Sequence, residues 1–102
     1  MQTHQRKKLE ILVEGPILKK VEEILEACGV HVFSVFDGRE GRGLSGRWTD
    51  QSVADALDQR LVWAIMAEDV AEAVVARLAA LFQRYPGVVV VSDVSVLRAE
   101  RF

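Results

Sequence analysis

The sequence predicts an α+β sandwich of the ferredoxin-like type, in the order βαββαβ, with a long loop between its second and third strands. Three observations carry this. Four stretches hold apolar residues of strand character, two intervening stretches hold them at helical spacing, and Gly or Pro stands at breaks between them. Two strand–helix–strand units in 102 residues make a four-stranded antiparallel sheet with both helices on one face. The whole chain, 1–102, is then one domain around one core, with 37–57 as its loop.

Lys7 to Glu14 alternates, Leu9, Ile11 and Val13 on one side and Lys8, Glu10, Leu12 and Glu14 on the other, and reads as the first strand. Gly15 and Pro16 break it, and Pro16 suits a helix start, where its missing N–H costs nothing. Ile17, Leu18, Val21, Ile24, Leu25 and Cys28 then form a helical stripe, which Gly29 stops. Val30 to Phe36 is the second strand and Gln59 to Ala67 the third. In the third, Leu61, Trp63 and Ile65 oppose Val62, Ala64 and Met66. Asp69 with Glu72 has the spacing of a capping box. Val70, Ala73, Val74, Leu78, Leu81, Phe82 and Tyr85 mark the second helix, ended by Pro86-Gly87. Val88 to Leu97 is the fourth strand, polar only at Ser92, Asp93 and Ser95.

The loop from Asp37 to Leu57 holds four of the seven glycines and three arginines within its first eleven residues. Loops of this length in small domains are uncommon and are usually functional or disordered. Glycines bring backbone N–H groups close to a ligand, and arginines offer forked donors to phosphate or carboxylate. Two readings stand side by side: a mobile anion-binding loop and a flexible, soluble linker. Trp48 has two readings as well, an anchor for a partner or a pin that folds back on the loop.

A net charge of −2 implies no general affinity for nucleic acid or acidic membranes. No apolar run reaches the roughly 20 residues of a membrane span, and a cytoplasmic location is expected. One cysteine cannot staple the fold. Cys28 and His31 lack the further ligands a zinc site needs, and His4 falls in an end expected to fray, so no metal is expected. No nucleophile–base or acid–base constellation can be assembled, so catalysis is not expected. The helix-free sheet face reads as apolar, which lone soluble domains seldom expose. Self-association through that face into a closed ring is expected, with Glu10 or Asp93 buried only where partners exist.

The stretches Lys7–Glu14 (KKLEILVE), Ala27–Gly38 (ACGVHVFSVFDG) and Ser92–Arg98 (SDVSVLR), with the long loop, resemble the PII signal-transduction superfamily of trimeric nucleotide sensors. The resemblance implies a homotrimer that binds adenine nucleotides between subunits and reports to a partner through its loop. The connection Gln83–Gly87 (QRYPG) lacks the glycine-rich phosphate loop of the nitrogen-regulating members, and the effector loop lacks their modifiable tyrosine. The chain is more similar to the PII-like branch linked to inorganic carbon, whose members favour AMP or ADP, so the expected ligands are ADP, AMP or ATP, with bicarbonate. Its loop looks most like that of the carboxysome-associated, bicarbonate-responsive members.

Carried across, the resemblance implies nucleotide contacts at Ser34, Asp37, Gly38, Arg39, Gly87, Arg98 and Arg101. For bicarbonate it offers Arg39, Glu40, Gly41 and Arg42. It leaves Gly43, Leu44, Ser45, Gly46, Arg47 and Trp48 to meet a transporter or carbon-metabolism protein. The alternatives are a nitrogen-status regulator of the same family and a trimeric metal- or anion-binding protein that takes no nucleotide. An acylphosphatase would need an asparagine, and the chain has none. A sheet-surface RNA binder would need a basic face.

Overall fold

A computed structural model describes residues 2–50, 58–98, 100 and 102. The elements are β1 (His4–Glu14), α1 (Leu18–Ala27), β2 (Ser34–Asp37), β3 (Glu40–Gly43), β4 (Gly46–Thr49), β5 (Gln59–Met66), α2 (Glu68–Leu81) and β6 (Gly87–Val96). The main sheet has the order β2-β5-β1-β6, and every pairing in it is antiparallel. β1 and β2 therefore run parallel with β5 between them, and β5 and β6 run parallel with β1 between them. This is the interleaved double βαβ arrangement the sequence predicts.

The alternation in β1 and β5 decides which face is covered. Leu9, Ile11 and Val13 join Val62, Ala64 and Met66, all buried, and α1 and α2 close over them with Val21, Leu25, Val74 and Leu78. Pro16 lies in a single 3-10 turn, Gly15–Ile17, that leads into α1. At its other end Gly29 takes φ 86°. There the Gly29 N–H donates to Glu26 O at 3.0 Å and the Val30 N–H to Leu25 O at 2.8 Å. This Schellman ending needs a left-handed residue, which glycine supplies without a Cβ penalty. It also takes Val30 out of the predicted second strand, because that N–H is committed to the helix.

Several other expectations shift. β1 begins at His4, paired with Val96, so the terminus expected to fray is a strand; the Gln5 amide donates to Ser95 Oγ at 2.8 Å. The expected capping box is absent. The N-cap of α2 is Ala67 with no side-chain cap, and Glu68 and Asp69 lie inside the first turn, where acidic groups suit the helix dipole. The buried alanine of α2 is Ala71, while Ala73 faces water. Asp93 pairs with Lys7 by register and so lies on the helix side, not the open face. Its carboxylate accepts a hydrogen bond from Lys7 Nζ, holding that ammonium above the ordinary lysine value.

Direct cross-strand partners share a face, so the register also composes the open side. Phe36, Leu61, Leu12 and Val88 form one row across all four strands, and Ser34, Trp63, Glu10 and Val90 form the next. Phe36, Leu12, Val88 and Val90 are exposed. Glu10 meets Lys8 at 3.5 Å. An apolar open face is thus what the chain presents.

Part of the long loop is regular. β3 and β4 form a hairpin with Arg42 opposite Arg47 and Gly41 opposite Trp48. Leu44 and Ser45 make the turn, and Gly46 takes φ 113°, the left-handed step after a two-residue turn that favours glycine. The Trp48 ring lies against the glycines of the loop base. A Cβ on Gly41 would come within 2.6 Å of its Cζ2, and one on Gly38 within 2.8 Å of its Cη2. Trp48 therefore pins the loop. Residues 51–57 of the expected loop lie outside the described residues. Among the described residues no helix is long and apolar enough to cross a membrane.

Two substitutions separate core from hairpin. Leu78→Ala should cost about 2–5 kcal/mol in urea unfolding. Gly41→Val should shift the unfolding free energy by no more than about 0.5 kcal/mol. It should nevertheless move Trp48 emission to the red, read in a Trp63→Phe background.

Candidate functional site

Two concavities gather most of the predicted site residues. The first, about 450 Å³, lies beside the open face near the end of β6. Ser34, Phe33, Trp63, Leu97, Arg98 and Phe102 line it, among others. Ser34 reaches it because it stands directly opposite Trp63. Arg98 lies two residues beyond the end of β6 and lines the same concavity as Phe102. The Arg6 guanidinium donates to the main-chain oxygen of Phe102 at 3.3 Å. The result is an apolar slot with one hydroxyl and one cation at its rim, a shape suited to a flat ring carrying an anionic group. Arg98 Nε meanwhile lies 3.3 Å from Glu100 Oε1, an exposed pair of small energetic weight that a stronger anion could replace.

The second concavity, about 420 Å³, opens between the hairpin and the end of the sheet. Gly41, Arg42, Arg47 and Trp48 stand on one side, and Leu12, Glu14 and Gln59 on the other. Two bicarbonate candidates, Gly41 and Arg42, are here. Glu40 does not line it, but its carboxylate lies 3.1 Å from Nη2 of Arg47, which does. Leu44 stands fully exposed at the hairpin tip.

Asp37 and Gly38 sit between these regions, at the end of edge strand β2. The Asp37 carboxylate is 3.0 Å from Arg60 Nε, and the Gly38 N–H donates to Gln59 O at 2.8 Å. What this base offers a phosphate in the present conformation is therefore the exposed side chain of Arg39, whose carbonyl accepts from the Asp50 N–H at 2.8 Å. Gly87 is not brought to it. Asp37, Arg60, Val13 and Gly87 lie in one row across the four strands, and three inter-strand steps span roughly 14 Å. Its own surroundings explain that glycine, since the Phe82 ring occupies the space a Cβ would take. Arg101 lies outside the described residues.

Sequence reasoning missed three contributors. Arg60 is legible only through the strand register that sets it against Asp37. Phe33 and Phe102 carry no periodic signal, one falling in a connection and the other at the chain end. Among the described residues no group of three His, Cys, Asp or Glu side chains could hold a metal.

Comparison with known proteins agrees with this architecture. No curated protein matches the sequence significantly. Among solved structures, CPII, a nitrogen regulatory PII-like protein from Thiomonas intermedia K12, bound to ADP, AMP and bicarbonate, is 24% identical with a TM-score of 0.88, over 99% of this chain and 96% of that one. The same protein bound to ADP and bicarbonate is 26% identical with a TM-score of 0.86, over 99% and 97%. A PII-like chain from Thermus thermophilus is 24% identical with a TM-score of 0.85, over 100% and 99%. The sequence model of the family described as nitrogen regulatory protein P-II matches residues 6–101, nearly the whole chain, and the protein belongs to that family.

Proposed function

We propose that this protein is a PII-like signalling protein that binds ADP or AMP in clefts between copies of itself, with bicarbonate as a second ligand. It reports their joint presence through its hairpin loop to a transporter or another protein of inorganic-carbon metabolism in the cytoplasm. The observation that carries this reading is the division of the candidate residues between the two edges of one sheet. Ser34, Arg98, Asp37 and Arg39 gather towards the β2 side, and Gly87 stands on β6. A ring of three copies, packed through the apolar rows of the open face, would set one edge against the next and complete each cleft. The likeness to CPII, whose structures hold ADP, AMP and bicarbonate, supports the same ligands here.

In this reading the apolar slot takes the base, Ser34 meets its edge, and Arg98 exchanges Glu100 for a phosphate. Arg39 and Arg101 add charge at the phosphates. Bicarbonate sits beside Arg42 and the backbone of Gly41, with Arg39 and Glu40 at the boundary between the two ligands. Arg47 and the tip residues Gly43, Leu44, Ser45 and Gly46 face the protein partner, while Trp48 sets the hairpin's angle from inside. The tight α2–β6 connection favours a carbon-linked over a nitrogen-linked role, because it holds no glycine-rich cradle for a third phosphate.

Calorimetric titration with AMP, ADP and ATP, each with and without bicarbonate, tests the proposal. One nucleotide per chain is expected, with an affinity that bicarbonate changes; by reciprocity nucleotide must then change bicarbonate affinity by the same factor. Absence of heat with every nucleotide would remove the reading. Arg98→Ala should weaken nucleotide binding roughly tenfold, as loss of a charged hydrogen bond does. Light scattering should give a particle of three times the 11.4 kDa chain mass. Val90→Asp, which places a charge on the open face, should dissociate it and abolish nucleotide binding together.

A further inference from the structure

The structure assigns a role to a residue that the site reading leaves unused: we propose that Arg60 is a clasp joining the two ends of the loop, which an anion at the loop base releases. Its guanidinium stands between two carboxylates. Nε is 3.0 Å from Asp37, the last residue of β2, and Nη2 is 3.9 Å from Asp58, the residue before β5. Nη1 donates to Gln59 O at 3.2 Å. Asp37 opens the loop and Asp58 closes it, so one side chain on the central sheet spans a twenty-residue excursion of the chain.

The clasp is rooted in rigid structure. Arg60 pairs with Asp37 on one side and Val13 on the other, and about a quarter of its side chain is exposed. Asp58 is more buried and its carbonyl accepts the Gly15 N–H at 2.8 Å, which ties the loop's end to the turn before α1. Asp37 is the closer partner but the more exposed one, with 80% of its side chain open to water and to a competing anion. It is also the neighbour of Gly38, whose N–H holds Gln59 O, and Gly38 is in turn covered by Trp48. Freeing Asp37 therefore loosens, in order, the end of β2, the Gly38 hydrogen bond and the seat of the Trp48 ring. A phosphate carries more charge than a carboxylate and matches the guanidinium fork equally well. One arriving beside Gly38 and Arg39 draws Arg60 from Asp37, while Asp58 keeps hold of the arginine's other edge.

The clasp itself needs no ligand; its release by an anion rests on the nucleotide reading, with ADP as the probe. Amide hydrogen exchange in the ligand-free protein tests the first part. Arg60→Gln and Asp37→Asn should each speed exchange at Gly38 and Asp50 roughly two- to fivefold, the range a partly exposed ion pair supports. The double variant should do no more than either single one. Exchange at Leu9 and Ile11 should stay unchanged, which separates a local clasp from a general loss of stability. Arg60→Lys should restore part of the protection, since it keeps the charge and loses the fork.

Unchanged Gly38 exchange in both single variants, or additive effects in the double, would overturn the clasp. Saturating ADP should raise Gly38 exchange in the natural protein towards the Arg60→Gln level, and should add nothing in that variant. If ADP binds and leaves Gly38 protected, the release step is wrong. If ADP gives no heat of binding, the nucleotide reading fails and the ligand-free result still decides the clasp.

Discussion

Everything in this molecule follows from a sheet covered on one face only. Two helices are enough to bury Leu9, Ile11, Val13, Val62, Ala64 and Met66, and among the described residues no third layer covers the reverse side. In an antiparallel sheet the bare face normally turns polar towards water. Here a row of Phe36, Leu61, Leu12 and Val88 runs straight across it. The hydrophobic effect favours covering this face, and in the proposed ring the geometry of association would set the geometry of the site. The candidate residues sit at the two sheet edges, separated within one chain by the full width of the sheet.

The same constraint explains where the chemistry is placed. The rows of the open face are mostly apolar, and its one ion pair, Lys8–Glu10, is internally matched, so the arginines stand at its margins: Arg98 beyond the end of β6, Arg39 and Arg42 beyond the end of β2. Each of Arg98 and Arg47 has a surface carboxylate nearby, Glu100 and Glu40. Such pairs are worth little, which keeps the cations available without leaving them alone. Arg60 differs. It sits inside the main sheet with carboxylates on two sides, its position set by pairing with β1 and β2, whereas Arg39 and Arg98 lie outside any strand and Arg42 and Arg47 belong to the hairpin.

The sequence made the main elements legible because their signals are local. Period-two alternation, the stripe of α1 and the Gly29 stop each depend on residues within one turn or one strand. The boundaries that moved did so for reasons that only tertiary structure contains. Val30 reads as strand by its side chain, yet its N–H closes the helix before it. Ala71 and Ala73 are indistinguishable in size and polarity, so the burial of one over the other depends on how α2 rolls on the sheet. Asp69 has capping-box spacing, but the chain turns into the helix two residues earlier. The site was legible as a set of residue types and much less as an arrangement. Arg60 could be found only by aligning β2 with β5, which requires knowing that these two strands pair. Phe102 could be found only from the path of the chain end.

The hairpin changes what a ligand must achieve. Ordering a twenty-residue loop would cost about 1–2 kcal/mol per residue in backbone entropy, against roughly 8 kcal/mol from a micromolar ligand. A nucleotide could not order such a segment alone. With Glu40–Gly43 paired to Gly46–Thr49, and with Trp48 seated on Gly38 and Gly41, much of that ordering is already done by the protein. Within Asp37–Asp50, what is left is the angle at which a preformed hairpin leaves the sheet. That angle is held at its base by a few weak contacts: the Asp37–Arg60 pair, the Gly38 hydrogen bond and the indole on two glycines. Contacts of about 1 kcal/mol are the right size for a switch, since a ligand's differential affinity of about 1–3 kcal/mol can then move the balance between two states. In the proposed function, a stiff arm on a weak hinge would transmit a small change at the anion site as a large displacement at Leu44. A disordered loop would dissipate the same change in its own fluctuations.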